Sequence, residues 1–256
     1  MKKKDLILFF SFMMMTFSLL SQQRLNITMK NVLPTSNGDE CVIDHKNYME
    51  LYSPIEKQSV CVAYLLTKEM VQHPIYKRIN AFKKDPLIKK DYSLPSDYNH
   101  SGYDKGHLCP CEDMRWDSNA MLSTFYMSNM SPQIPTFNRC DWKKLEEMTR
   151  HYAIANDSII VVVMPIFDGS SKCIGTDNVV VPTAFCRIVI DVSYPTYKAI
   201  AFIMVNDSVV GRDIYKCAMS VTASEKIIKR FLFGTEKDKT QFEQLLENVC
   251  ISDWKK

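Results

Sequence analysis

The 256-residue chain has no internal repeat and no low-complexity tract, which excludes solenoid and propeller architectures. Beyond residue 20, no apolar run is long enough to cross a bilayer, a span that takes about 20 residues. The second half shows no regular alternation of strand and helix. That argues against a parallel βαβ sheet, and consecutive strands there are expected to pair antiparallel. A large charge excess is also missing. The formal net charge is +3, and three of the cations, Lys2, Lys3 and Lys4, sit at the extreme N-terminus, so global charge does not advertise a nucleic-acid partner. Only five histidines are present. No pair of C-x₂₋₄-C knuckles occurs, which argues against a structural zinc site.

What is present begins with an address-like segment. Lys2 to Lys4 precede a mostly apolar run from Leu6 to Leu20, followed by the polar "SQQ". A basic head, a short apolar stretch and a polar exit form the pattern of a secretory signal peptide over residues 1–21, with a retained anchor as the alternative. The expected destination is therefore secreted, periplasmic or extracellular. Nine cysteines in such a protein lead us to expect some disulfides, and the odd count leaves at least one thiol unpaired. Cys61 and Cys186 lie in strand-like runs, where a free buried cysteine acting as a small apolar residue is also common.

Residues 22–40 are polar and turn-rich and read as a leader into one domain spanning 41–256. Strands are predicted at 60–66, 124–130, 158–167, 178–192 and 197–205, all rich in β-branched and aromatic residues. Helical spacing of Asn138, Trp142, Leu145 and Thr149 predicts a helix over about 138–154, and a last helical stretch follows "TEKDKTQFEQLLENVC". The fold class is α+β, a central antiparallel β-sheet with flanking helices. A cationic run, with Lys77, Arg78, Lys83, Lys84, Lys89 and Lys90 against Asp85 alone, is on its own no more than a solvated face.

The stretch "YDKGHLCPCEDM" at 103–114 concentrates candidate chemistry. A lone histidine is more often structural than catalytic. Beside His107, however, Gly106 permits a close backbone approach or an unusual φ, and Asp104 and Lys105 place opposite charges within reach. His107, Cys109 and Cys111 as a metal cluster do not match the spacing of structural zinc. A Cys109–Cys111 disulfide would close a very tight ring across Pro110. A Cys–His nucleophile pair is a minority alternative, since such pairs meet in space rather than in sequence.

The following residues carry a family pattern. Asp104-Lys105-Gly106-His107 is followed by Ser128-Asn129-Met130-Ser131-Pro132-Gln133, then by Asn138 with Trp142, Leu145 and Glu146. Together these blocks resemble the DNA/RNA non-specific endonucleases, a ββα-metal nuclease group that includes endonuclease G. The resemblance implies a ββα-metal core within the α+β fold and hydrolysis of phosphodiester bonds in DNA and RNA to 5′-phosphate products. It implies Mg²⁺ (Mn²⁺ or another divalent cation substituting) on Asn138, with His107 as the general base. Glu146 is then expected to reach the ion through water, because eight residues of straight helix put it roughly 12 Å from Asn138. Asn129 would lie beside the scissile phosphate or brace His107. Two departures stand out. Lys105 replaces the usual Arg and cannot make a bidentate fork to phosphate. An upstream Arg of the family is matched approximately by Arg78, with Lys83 or Lys84 as substitutes. The resemblance also allows a homodimer. The competing classes are a catalytically weakened nucleic-acid-binding homologue and a secreted thiol enzyme using Cys109, Cys111 or Cys140 with His107.

Overall fold

The computed structural model describes residues 25–195, 197–233 and 242–255. The expected signal peptide and part of the C-terminal helical stretch lie outside the described residues. Seven strands form one antiparallel sheet: β1 (Cys41–Asp44), β2 (Tyr48–Ser53), β3 (Gln58–Thr67), β6 (Ser158–Ile166), β9 (Ala184–Asp191), β10 (Lys198–Val205) and β11 (Ala218–Met219), in that spatial order. A separate antiparallel hairpin joins β4 (Asp104–His107) to β5 (Met130–Gln133), and β7 (Cys173–Ile174) pairs with β8 (Val179–Val180). The expected α+β class and antiparallel pairing are observed.

Alternation along each strand divides the core into two layers. On one face, Val62, Tyr64 and Leu66 of β3, Val161 and Val163 of β6 and Phe185 and Val189 of β9 meet Trp142, Leu145 and Tyr152. The last two belong to helix α1 (Lys143–Ala155). On the other face, Cys61, Ala63, Ile160, Val162, Cys186 and Ile188 pack with Val221 of helix α2 (Val221–Ile228), Leu232 and Phe233. Because both faces are covered, the central strands read as continuous apolar runs rather than as alternating ones.

Three sequence expectations change. The run 124–130 is not a strand: a helical turn ends at Ser123, Met127–Asn129 is a single 3₁₀ turn, and β5 begins only at Met130. Ser123 Oγ, Thr124 Oγ1 and the Asn129 side chain bond to nearby backbone carbonyls, the local competition that draws such residues into turns. The run 178–192 breaks into β8 and β9 around Pro182, which has no N–H to give a ladder. The polar stretch before residue 41 also packs: Val32 and Leu33 are buried against the sheet, so this part of the expected leader belongs to the core.

No disulfide forms. All nine cysteines are free thiols, four of them (Cys61, Cys109, Cys111 and Cys186) buried as small apolar residues. The expectation of disulfides rested on compartment and not on packing, and a two-layer core of this size has no need of covalent staples.

Candidate active site

One cavity of about 790 Å³ gathers Arg78, Phe82, Lys105, His107, Asn138 and Glu146, together with Asp104, Arg139, Lys143 and Arg150. Its floor is the β4–β5 hairpin, in which Gly106 pairs with Ser131 and His107 with Met130. Gly106 is there for close approach. Its φ lies outside the left-handed region, but a Cβ on it would stand 2.2 Å from Gln133 Oε1. Any side chain at 106 would therefore have to displace the buried Gln133 side chain that packs against this strand.

His107 is half-buried, and its Nε2 is fully buried with no hydrogen-bond partner. The ring stands edge-on to Phe125 at 5.0 Å and tilted to Phe82 at 5.8 Å. Burial, and then the positive charge of Arg78, push its pKa down to about 3, so the imidazole is neutral at physiological pH. Arg78 itself is exposed. Its guanidinium lies 5.5 Å from the centroid of the same Phe125 ring, and its Nε donates to Asn80 Oδ1 at 3.0 Å. One aromatic platform thus carries both the imidazole and the cation. Lys105 is set beside them, its ammonium 5.6 Å from Phe82 and 5.4 Å from Tyr98.

The rest of the cationic run goes elsewhere. Lys83 lies over Tyr126 and Lys84 over Tyr92, while Lys89 and Lys90 line a second cavity. Neither Lys83 nor Lys84 lines the cleft, so the structure does not support either as a substitute for Arg78. The reason is local: residues 83–90 turn away around the buried Asp85, whose Oδ1 accepts from Leu87 N at 2.8 Å.

Opposite the hairpin, Phe137–Trp142 forms a π-helical turn that runs directly into α1. Single π turns inside helices recur at functional sites because the extra residue re-aims side chains. Here the turn presents Asn138, whose Nδ2 donates to Asp104 Oδ2 at 2.9 Å. Arg139 clamps the same carboxylate with two bonds of 2.8 and 2.6 Å. Asp104 therefore fixes the nitrogen end of the Asn138 amide and leaves Oδ1 as the donor toward a cation.

Glu146 also lines the cleft. Burial raises its pKa to about 7, and the neighbouring Arg187 works against the rise. Arg187 Nη2 donates to Glu146 Oε1 at 3.3 Å from a wholly buried position. Its Nη1 donates to Tyr64 Oη at 3.0 Å, and its guanidinium lies 4.8 Å from Trp142. Tyr64 in turn donates to Asp113 Oδ2, which shares its carboxylate with Arg150 through a 2.8 Å bond to Oδ1. Sequence reasoning missed Arg187, Asp113, Arg150 and Arg139. One signal was available for Arg187: a single cation inside the apolar strand "AFCRIVI" must find buried partners.

Asn129 is placed differently from the others. It is fully buried and does not line the cavity. Its Oδ1 accepts from Cys109 N at 2.8 Å, and its Nδ2 donates to Cys109 O and Thr124 O. Its amide is thus used up holding the turn that follows His107. Cys109 and Cys111 are buried beside that turn. Burial drives the Cys109 thiol well above its ordinary value and Cys111 up to about 11, so neither offers a thiolate.

An antiparallel hairpin carrying a neutral histidine, followed by a helix whose first turn presents an asparagine amide, is the ββα core of the metal-dependent nucleases. The family model described as DNA/RNA non-specific endonuclease matches residues 26–240, and the chain belongs to that family. Among curated relatives, it is 31% identical over 156 residues to "Endonuclease G, mitochondrial" of Homo sapiens, covering 57% of this chain and 52% of that protein. It is 36% identical over 137 residues to the protein of the same name from Caenorhabditis elegans, covering 48% and 44%. The chain thus spans about half the length of these relatives. A solved structure titled "Crystal structure of the EndoG/EndoGI complex: Mechanism of EndoG inhibition" matches with a TM-score of 0.73 at 27% identity, covering 80% of this chain and 89% of that one.

Proposed function

We propose that this protein is a divalent-metal-dependent, sugar-non-specific endonuclease that hydrolyses phosphodiester bonds in DNA and RNA and leaves 5′ phosphates. The observation that carries this reading is a neutral, half-buried His107 lining a cleft that also holds Arg78, Lys105 and the Asn138 amide.

The residues present fit Mg²⁺. The Asn138 amide is locked through its nitrogen, which leaves an oxygen donor, and Glu146 supplies a second oxygen group within the same cleft. Oxygen donors with room for water suit a hard ion that dehydrates reluctantly, and Mn²⁺ can take its place. When bound, the ion neutralises charge on the phosphate and on the leaving 3′ oxygen.

The chain's own groups do the rest. His107 takes a proton from the attacking water as the new P–O bond forms and the 3′ oxygen departs. A base with a pKa near 3 would be weak, but the incoming phosphate is anionic and favours the imidazolium, raising its proton affinity when it is needed. Arg78 and Lys105 contact the phosphate as cations, Arg78 through a fork and Lys105 as a point charge. Asn129 acts as a brace: its bonds to Cys109 fix the backbone that follows His107. Arg187 holds Glu146 in place from behind. Burial and raised pKa speak against Cys109 and Cys111 as nucleophiles in the thiol-enzyme alternative.

We further propose export directed by residues 1–21, supported by the basic and apolar pattern there, and a homodimer as the resemblance allows. Fractionation of cells expressing the full chain, or a chain lacking residues 1–21, tests the first, and light scattering tests the second. For the activity, the purified chain is incubated with plasmid, single-stranded DNA and RNA, with Mg²⁺ or EDTA. Cleavage of all three that EDTA abolishes is expected. No cleavage with any divalent ion would point instead to a binding-only homologue.

A further inference from the structure

A second cluster of ligating groups lies outside the cleft. His45 follows β1, Glu50 is on β2, and Asp85 comes from the loop 83–91, more than 30 residues away along the chain. None of the three lines the catalytic cavity. His45 Nε2 stands 3.1 Å from Glu50 Oε1 and 3.1 Å from Asp85 Oδ2, and all three atoms lie within 4.8 Å of one another. Their side chains are 3%, 0% and 1% exposed, so solvent does not offset the two negative charges.

Hydrogen bonding alone accounts poorly for this arrangement. One ring nitrogen carries at most one proton, yet two carboxylate oxygens approach the same Nε2. Glu50 Oε2 is buried with no partner at all. A buried carboxylate oxygen left unmatched forfeits its hydration with nothing in return. One nitrogen and two oxygens converging at these separations is instead the geometry of an ion's ligand sphere. Around an ion with bonds of about 2.0 Å, tetrahedral ligand atoms sit roughly 3.3 Å apart. The supporting shell is also in place: Ser128 Oγ donates to Asp85 Oδ2 at 2.7 Å and Leu87 N to Oδ1 at 2.8 Å, while Tyr48 stacks on the His45 ring at 4.6 Å. Hydrogen-bonded carboxylates and an oriented imidazole are what ligand sets of this kind require.

We propose that His45, Glu50 and Asp85 form a second metal site that takes a transition-metal dication of the zinc class, separate from the Mg²⁺ site in the cleft. An imidazole among the donors favours zinc over magnesium or calcium, and Glu50 Oε2 can complete the sphere as the second oxygen of a bidentate carboxylate. The ion ties the β1–β2 hairpin to the loop that follows Arg78 and Phe82. Through Asp85 and Ser128 it also reaches the residue beside Asn129. Its role is a structural staple under the platform that carries His107 and Arg78.

The inference does not depend on the nuclease reading, and the test is independent of activity. Full-length protein is purified without chelator, exchanged into millimolar Mg²⁺ and assayed for metals by mass spectrometry, as the parent chain and as Asn138→Ala, His45→Gln and Glu50→Gln. The site predicts one zinc-class ion per chain in the parent and in Asn138→Ala, and an affinity at least about tenfold weaker in the other two. Circular dichroism identifies any variant that fails to fold. Co²⁺ titrated into the Asn138→Ala chain provides a second readout, a visible d–d spectrum that Zn²⁺ abolishes, and it needs no substitution in the triad. Absence of both bound zinc and the Co²⁺ spectrum would overturn the proposal and leave a proton shared among three side chains. Loss of the ion in Asn138→Ala alone would place it in the cleft and overturn the proposal equally.

Discussion

The two faces of the central sheet differ by one residue of register and by almost everything else. On β9, Cys186 and Ile188 enter an apolar layer with Cys61, Val162 and Val221. Their neighbour Arg187, on the opposite face, is as fully buried but sits among Tyr64, Glu146 and Trp142. The first layer is held mainly by apolar burial, at about 1.5–3 kcal/mol per large side chain. The other buries a chain of charges from Arg187 through Tyr64 and Asp113 to Arg150, directly behind the cleft. Buried ion networks are seldom the cheapest way to fill a core, and well-packed apolar residues often serve stability as well or better. Their place behind Glu146 and Asn138 indicates that this face is arranged for positioning, and the other for stability.

Substitutions can break that contrast in order of size. Asn138→Ala should lower cleavage by at least about 100-fold while leaving the thermal midpoint near that of the parent, measured by plasmid nicking and calorimetry at several Mg²⁺ concentrations. Arg187→Met should do both kinds of damage. Removing one partner from a buried network costs about 3–5 kcal/mol, read by denaturant unfolding, and cleavage per folded molecule should also fall. Ile188→Ala, one residue away on the apolar face, should cost about 2–5 kcal/mol and leave cleavage per folded molecule unchanged. If Ile188→Ala impaired catalysis as Arg187→Met does, the division between the faces would be wrong.

Glu146 sharpens the contrast through pH. Its folded pKa is raised to about 7 from the ordinary 4.5, so between these values the folded chain holds a proton that the unfolded chain releases. The slope of stability with pH is therefore negative in that window, and Glu146 contributes a loss of stability as pH rises from 4.5 to 7. In Mg²⁺-free buffer, Glu146→Gln should flatten that part of the curve, as read from urea midpoints. The smallest expected effect is at Lys105. Lys105→Arg supplies the fork that a point charge lacks and should raise kcat/KM a few-fold with no change in unfolding midpoint.

Much of the site was legible in the sequence because its pieces are local. Asp104 to His107 and Asn138 to Glu146 are short ordered blocks, and the structure gathers His107, Lys105, Arg78, Asn138 and Glu146 in one cleft. What the sequence hid depends on contacts across the sheet. Arg187 sits in an otherwise apolar strand, and its partners come only from β3, α1 and, through Tyr64, the 111–114 turn. The family pattern left Asn129 either beside the scissile phosphate or bracing His107, and only contacts across the fold show its amide wholly committed to the backbone at residues 109 and 124. The strand expected at 124–130 failed because side-chain hydrogen bonds to the backbone compete with a ladder. Spacing also gave no warning that residues 83–90 curl around Asp85 and away from Arg78.

The central claim is that His107 is the base. Its most direct test is the cleavage rate of His107→Gly with saturating Mg²⁺, with and without added imidazole. A fall of about 10²–10⁴-fold that exogenous imidazole partly restores, with Mg²⁺ binding and unfolding midpoint unchanged, is the predicted result. Cleavage by His107→Gly at the parent rate without imidazole would contradict it.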